Sequence, residues 1–205
     1  MTTLSGVYEK TYRNYLSQLG SIDPNAVRQR LGAETEKDEV VIPLFGKPYR
    51  ASPKGITDIS GKQPSFDVCV ILCKYLLLCP LIQSEEKDWV SFRGLRDSGP
   101  LTTYFANEAE GAIAKYFMGK PHELEEAGRA LGGYTPDIDA RYDVSLRFDV
   151  LPKVPLVMLY NDADKDFPAK CSVLFERRAE MYLDAECLSM VGRLLFSRLK
   201  KSDAK

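Results

Sequence analysis

The chain has 205 residues, of which 44% are hydrophobic and 28% are charged, a composition typical of a globular protein with a buried core. Its formal net charge is −1, so no general attraction to nucleic acid or to anionic lipid is expected. The N-terminus lacks the basic and apolar regions of a signal peptide, and the longest apolar run, residues 68–82, contains Lys74 and Pro80 and is too short to span a bilayer.

Five cysteines in a chain without a visible export signal indicate reduced thiols and a cytoplasmic location. The basic side chains are dispersed except in Arg198-Leu-Lys-Lys201. Cations are expected there in any case, because this segment ends a predicted helix. Nucleic acid and membranes are therefore not expected as partners.

Two helices are predicted at the start of the chain. Apolar residues recur at helical spacing between Val7 and Leu19, and Gly20 follows as a stop. Asp23-Pro24 then supplies an N-cap and a first-turn proline for a second, short helix that ends at Gly32.

A β-hairpin is predicted over residues 39–51, with its turn at Gly46-Lys-Pro48. Pro43 indicates an edge strand or an irregular one, because proline cannot donate to a strand ladder. The segment from Ile56 to Ile59 is a candidate for one more short strand.

The middle of the chain is predicted to be mainly helical. Residues 66–79 are apolar on nearly every side, which is typical of a buried helix. A short strand or ordered loop is expected over Trp89–Arg93, and two further helices begin near Ser98 and at Pro121. Gly132-Gly133 closes the second of these.

The C-terminal third predicts an antiparallel meander followed by a helix. Leu156 to Tyr160 is apolar throughout, as a strand covered on both faces would be. A third strand follows over Cys171–Phe175, a helical turn begins at Arg177, and Asp184 caps the last helix. The first strand of the meander alternates with period two, its apolar positions being Val144, Leu146, Phe148 and Val150.

These elements predict an α+β fold, in which an antiparallel sheet built from the C-terminal meander and the N-terminal hairpin is packed with several helices. We expect the helix that carries Cys69 and Cys73 to cover the apolar side of the meander. One domain is predicted over residues 1–205, with residues 1–61 as a candidate small N-terminal lobe.

No catalytic or metal-binding motif is recognised in the sequence. Cys69, Cys73 and Cys79 lack the spacings of zinc or iron–sulfur ligands, so buried structural thiols are predicted. His122, the single histidine, is predicted to be a solvated surface residue. Asp162, Asp164 and Asp166 alternate like calcium-loop ligands.

The rest of that calcium loop does not fit, because Phe167 and Val173 stand where glycine and glutamate are required. An acidic turn between strands is the simpler interpretation, and a weaker divalent site stays open as the alternative.

The best candidate for a ligand site combines Trp89, Arg93, Asp166 and Tyr182. An arginine beside the only tryptophan could clamp a planar or anionic ligand by stacking or by a bidentate contact. The structural alternative is that Trp89 covers a sheet edge while Arg93 pairs with a carboxylate.

Several short motifs resemble an uncharacterised bacterial and archaeal family, a domain of unknown function common in anaerobes. The resemblance covers the chain from about Tyr8 to Leu199. The motifs that carry it are Trp89…Phe92-Arg93, Leu131-Gly-Gly133, Leu151-Pro152-Lys-Val-Pro155, Asp166-Phe167-Pro168 and Leu174-Phe175…Ala179…Tyr182-Leu183…Glu186. Some members look like fusions to an iron–sulfur segment similar to that of the corrinoid iron–sulfur protein, and this chain lacks its four-cysteine cluster.

The resemblance implies a ligand- or partner-binding accessory protein in anaerobic one-carbon, corrinoid or metallocofactor metabolism, with a small molecule or a metalloprotein as partner. It supplies no catalytic residue and no cofactor. The alternative is an enzyme that uses a carboxylate, an arginine and a tyrosine on a small anionic substrate, with Asp166 as base and Arg93 as the anion-binding group. That alternative predicts that both side chains face one cleft. A third hypothesis, a cysteine-held cluster or corrinoid site, predicts bound iron or cobalt.

Overall fold

The computed structural model describes residues 4–36, 39–138 and 141–203. Residues 1–3, which enter the signal-peptide prediction, lie outside this part of the chain. The secondary-structure elements, in chain order, are α1 (Leu4–Leu19), α2 (Pro24–Leu31), β1 (Glu34–Glu36), β2 (Glu39–Leu44), β3 (Lys47–Ser52), β4 (Gly55–Asp58), α3 (Phe66–Leu77), β5 (Trp89–Ser91), α4 (Thr102–Phe105), α5 (Ala112–Phe117), α6 (Pro121–Ala130), β6 (Val144–Leu151), β7 (Val154–Asn161), β8 (Lys170–Glu176) and α7 (Ala185–Asp203).

The N-terminal region consists of the two predicted helices and an antiparallel sheet. In α2 the Asp23 side chain accepts a hydrogen bond from the backbone N–H of Asn25, and Gly32 takes the left-handed conformation (φ 65°) that ends the helix. The predicted hairpin is confirmed as β2–β3, and the sheet has the order β1-β2-β3-β4. The candidate strand at Ile56 is confirmed as β4.

A single long helix with an irregular centre follows β5. The α-helical segments α4 and α5 are joined by a π-helical segment, Ala106–Gly111. Gly192 of α7 packs against this helix, because a Cβ at Gly192 would lie only 2.4 Å from the Phe105 ring. The close approach of α7 to the helix therefore requires glycine at this position.

The C-terminal sheet is the predicted meander with β5 added at its edge. Its strand order is β5-β8-β7-β6, and all the pairings are antiparallel. The alternation of β6 and the continuous burial of β7, broken only at Asn161, appear as predicted. The α+β class is therefore confirmed, with hairpin and meander placed in two four-stranded sheets.

The two sheets meet at the turn of the β2–β3 hairpin. The backbone N–H of Phe45 donates to the carbonyl of Val150 at 2.8 Å, and the Phe45 ring packs edge-on against Phe148 with 6.3 Å between centroids. The single domain over residues 1–205 and the candidate lobe over residues 1–61 both stay predictions.

The expected position of the cysteine-bearing helix needs a correction. Helix α3 packs mainly against α1, α7 and β4, whereas the π-helical segment, α5 and α6 pack on the C-terminal sheet. In a helix that is apolar on every side, the sequence pattern does not mark the face that packs against a particular neighbour. The sequence therefore could not show which elements α3 contacts. Its thiols Cys69 and Cys73 are fully buried, as predicted.

Within the described ranges, none of the helices has the length and apolar character needed to cross a bilayer.

Candidate functional site

The four residues of the predicted ligand site do not line one exposed cleft. Trp89 is half-buried in β5, where it pairs with Glu176 of β8. Arg93 is exposed in the turn after β5, and among the described residues it forms no ion pair. Asp166 is exposed in the loop before β8, so it lies beyond the opposite end of that strand. At a rise of about 3.3 Å per residue, β8 separates Asp166 from Trp89 by roughly 20 Å.

Tyr182 belongs to the core and is fully buried, with its ring 6.1 Å from that of Tyr75. The structure therefore places Trp89 and Arg93 at one end of the sheet and Asp166 beyond the other end, and the fully buried Tyr182 exposes no surface to a ligand. The shared cleft for Arg93 and Asp166, on which the enzymatic alternative depends, is not formed.

The neighbours of Trp89 form a compensated charge cluster. The Arg147 guanidinium lies over the Trp89 ring at 5.4 Å and over the Tyr134 ring at 5.9 Å. The buried carboxylate of Glu176 pairs with Arg178 at 2.5 Å and with Arg147 at 3.7 Å. Trp89 therefore lies in the edge strand of the sheet with Arg147 over its ring, whereas the expected pairing of Arg93 with a carboxylate is absent from the described residues.

The acidic loop after β7 uses its carboxylates to bind backbone N–H groups. Asp162 accepts from Gly119 at 2.8 Å, and Asp164 accepts from Asp166 and Phe167 at 2.7 Å each. The hydrogen bond from Gly119 is the main cause that lowers the pKa of Asp162. The prediction of an acidic turn is confirmed.

The described part of the chain also shows the surroundings of the single histidine and of the candidate metal ligands. There, no group of three or more metal-ligating side chains gathers in one place. The His122 side chain is 79% exposed, as expected of a surface residue, and lies 3.6 Å from Glu126.

A different part of the molecule forms a cationic groove, which we name the Arg198 groove. It has a volume of about 660 Å³ and lies between the β2–β3 hairpin, the start of α3 and the second half of α7. Its lining residues are Phe45, Lys47, Tyr49, Asp58, Lys62, Gln63, Pro64, Ser65, Val68, Leu131, Leu194, Ser197, Arg198, Lys201 and Ser202.

Arg198 is half-buried in the wall of this groove. Its Nη1 donates to the carbonyl of Leu44 at 2.8 Å, its Nη2 donates to the Tyr49 hydroxyl at 3.2 Å, and the guanidinium lies 5.0 Å from the centre of the Phe45 ring. Burial lowers the pKa of Arg198 from its ordinary value, yet arginine stays charged at neutral pH. These partners are neutral, and within the described ranges no carboxylate pairs with the Arg198 guanidinium.

Three exposed lysines surround the opening, and among the lining residues that the structure describes Asp58 is the one carboxylate. Lys47 lies 3.5 Å from Asp58, which leaves Lys62 and Lys201 without a carboxylate partner in the described ranges. Hydrogen bonds from the Ser60 side chain and from the Lys62 N–H lower the pKa of Asp58 to about 2. Asp58 is therefore ionised at neutral pH, and the groove still carries an excess of positive charge.

The first turn of α3 adds to the positive potential of the Arg198 groove. Pro64, Ser65 and Val68 line the groove, and the Ser65 side chain makes no capping hydrogen bond. A helix N-terminus carries a partial positive charge. Asp67, the acidic residue of that turn, is paired with Arg193, which does not line the groove. The groove thus combines fixed cations, a helix start and hydroxyl donors.

A comparison with protein families matches residues 23–198 to a domain of unknown function, DUF3786. The chain belongs to this family. The expected membership of an uncharacterised family is therefore confirmed. No characterised protein and no solved structure matches the chain.

Most of the Arg198 groove lies within the DUF3786 domain, whose match ends at Arg198 itself. The sequence contains a partial signal for this site, because Arg198 and Lys201 belong to the one basic segment of the chain. That segment was attributed to the C-terminal end of a helix, which is also where α7 places it. Nothing in the sequence shows that the helix end faces the hairpin turn at Lys47.

Proposed function

We propose that this DUF3786 protein binds a small anionic ligand in the Arg198 groove. The observation that carries the proposal is the half-buried guanidinium of Arg198, which has only neutral partners among the described residues. It lines a groove in which those residues supply three further cationic side chains and one carboxylate. A small anion would supply the missing counter-charge.

The energetic reason lies in the position of Arg198. At an effective dielectric constant of 20, two charges 4 Å apart interact by about 4 kcal/mol, against about 1 kcal/mol in bulk water. Lys62 and Lys201 are exposed, so each is expected to contribute less than Arg198. The formal net charge of the whole chain is −1, so the attraction is local to the groove.

The proposal includes an accessory role in anaerobic one-carbon, corrinoid or metallocofactor metabolism, a metalloprotein partner and a cytoplasmic location. These parts are supported by the resemblance described above and by the cysteine content alone. These parts are tested by purifying the protein, without oxygen, from an anaerobic organism that produces it. A cobalt- or iron-containing protein should co-purify with it, and the absence of such a protein would count against these parts.

The binding proposal is tested by thermal unfolding in the presence of pyrophosphate or citrate, with potassium chloride at matched ionic strength as the salt control. A ligand present at 100 times its Kd stabilises a protein by about 2.7 kcal/mol. For a chain of this size that stabilisation raises Tm by roughly 5–10 °C. We expect at least one of the two anions to give a saturable increase in that range.

A double variant, Lys62→Gln with Lys201→Gln, removes two cations from the rim without touching a described side-chain contact. The matched control, Lys10→Gln with Lys165→Gln, removes two exposed cations elsewhere. We expect the rim variant to bind more weakly than the control variant. Equal binding by both variants, or no saturable shift with either anion, would contradict the proposal.

A further inference from the structure

The donors of the Arg198 groove indicate which class of anion fits it. We propose that the ligand is an organic diphosphate, an inference that rests on the proposed function. The diphosphate part would lie between Arg198, Lys62, Lys201 and the start of α3, and the organic part would lie against the apolar wall.

The charge of the groove matches that of a diphosphate. The ion pair between Lys47 and Asp58 is neutral, so Arg198, Lys62 and Lys201 remain as cations without a carboxylate partner among the described residues. One phosphate group carries about 1.5 to 2 negative charges at pH 7. A single carboxylate would neutralise only one of the three cations, whereas two linked phosphates neutralise about three.

The donor types also fit phosphate. An arginine can bind two oxygens of one phosphate group, and the bonds to Leu44 and Tyr49 use two of the five N–H groups of Arg198. Lysine acts as a mobile point charge, and the first turn of a helix is a common phosphate site. Here these three elements line one groove together with hydroxyl groups, at Ser65 directly before α3 and on α7 at Ser197 and Ser202. The Ser65 hydroxyl is not used as a helix cap, so it is available as a donor.

The groove is larger than a diphosphate alone requires. Its volume of about 660 Å³ falls in the range of sites for organic ligands, roughly 300–1,000 Å³. Leu131 and Leu194 are half-buried and supply apolar surface along the wall. An organic group attached to the diphosphate would cover this surface, and inorganic pyrophosphate would leave it exposed.

The test is isothermal titration calorimetry with pyrophosphate, ADP, isopentenyl diphosphate and citrate, the last being a tricarboxylate of similar charge. We expect pyrophosphate to bind at least tenfold more tightly than citrate. We also expect either ADP or isopentenyl diphosphate to bind at least threefold more tightly than pyrophosphate, and the tighter of the two shows whether the organic part is a nucleoside or an isoprenoid.

Two variants connect the affinity to the groove. Arg198→Lys keeps the charge and loses the fork, so pyrophosphate affinity is expected to fall at least tenfold. Arg198 also donates hydrogen bonds to Leu44 and Tyr49, which the variant would lose. Its folding is therefore first checked by circular dichroism. The rim variant Lys62→Gln with Lys201→Gln avoids those contacts, and we expect a three- to tenfold loss relative to Lys10→Gln with Lys165→Gln.

The possible failures are distinguishable. Citrate binding as tightly as pyrophosphate would overturn the diphosphate class and leave anion binding intact. Pyrophosphate binding more tightly than both ADP and isopentenyl diphosphate would overturn the organic part. Absence of binding by all four compounds would overturn the proposed function as well.

Discussion

At the scale of single residues, burial determines the chemistry of the cysteines. Cys69, Cys73, Cys171 and Cys187 are buried, and Cys79 is half-buried. Burial raises the pKa of Cys73 from its ordinary value of 9.0 to about 12, because a thiolate loses its hydration in an apolar environment. The thiols in the core are therefore protonated and unreactive at neutral pH.

We expect Ellman's reagent at pH 8 to modify one thiol of the native protein, Cys79, and all five in denaturant. Cys79→Ser should abolish the native reaction. The raised pKa of Cys73 also makes the stability of the fold depend on pH. Thiols in the unfolded chain ionise near pH 9, whereas folded Cys73 stays protonated to about pH 12. The unfolded state therefore releases more protons, and stability should fall as the pH rises above 9. Rapid modification of native Cys79→Ser would contradict this account.

At the scale of elements, the π-helical segment protects an open sheet edge. Strand β5 pairs with β8 only from Leu174 to Glu176, so the preceding part of β8 lacks a strand on that side. Glu110, in the π-helical segment, accepts a hydrogen bond from the backbone N–H of Val173 at 2.9 Å. Burial raises the pKa of Glu110 above its ordinary value of 4.5, although this hydrogen bond opposes the shift. The edge is thus blocked by a side chain instead of a strand.

Substitutions at Glu110 separate the hydrogen bond from the charge. Glu110→Ala leaves the Val173 N–H without its acceptor, and we expect the free energy of unfolding to fall by about 1–3 kcal/mol. Glu110→Gln keeps an acceptor oxygen and avoids burying a charge, so it should be at least as stable as the parent at pH 7.

The pH dependence gives the control for this prediction. The pKa of Glu110 is raised on folding, so its ionisation destabilises the folded state as the pH rises above 4.5. The stability advantage of Glu110→Gln should therefore disappear at pH 4, as followed by urea unfolding. Equal stability of Glu110→Ala and Glu110→Gln at pH 7 would show that the hydrogen bond has no role.

The elements were largely predictable, because each depends on local patterns. Asp23-Pro24 and Gly32 defined α2, the alternation from Val144 to Val150 defined β6, and Asp184 was recognised as the cap of α7, where its carboxylate accepts from the Cys187 N–H. The π-helical segment was not predicted, since one additional residue in a turn leaves no clear mark in the hydrophobic spacing.

At the scale of the whole molecule, the candidate site depends on contacts between distant segments. Arg198 binds Leu44 and Tyr49 across 154 and 149 residues of the chain. Composition and spacing describe each segment separately, so they cannot show that the hairpin, the start of α3 and the end of α7 meet. The same limitation explains the predicted site at Trp89. Its members share chemical types, but the fold puts Asp166 beyond the opposite end of β8 and buries Tyr182 in the core.

The most direct test of anion binding in the Arg198 groove is a titration of the ¹⁵N-labelled protein with pyrophosphate, followed by NMR. The account predicts saturable shifts of the Arg198 Nε–H resonance and of the backbone amides of Lys47, Lys62, Ser65 and Lys201, while the amides around Trp89 and Asp166 stay unchanged. Shifts concentrated at Trp89 and Arg147, or no saturable shift at Arg198, would contradict it.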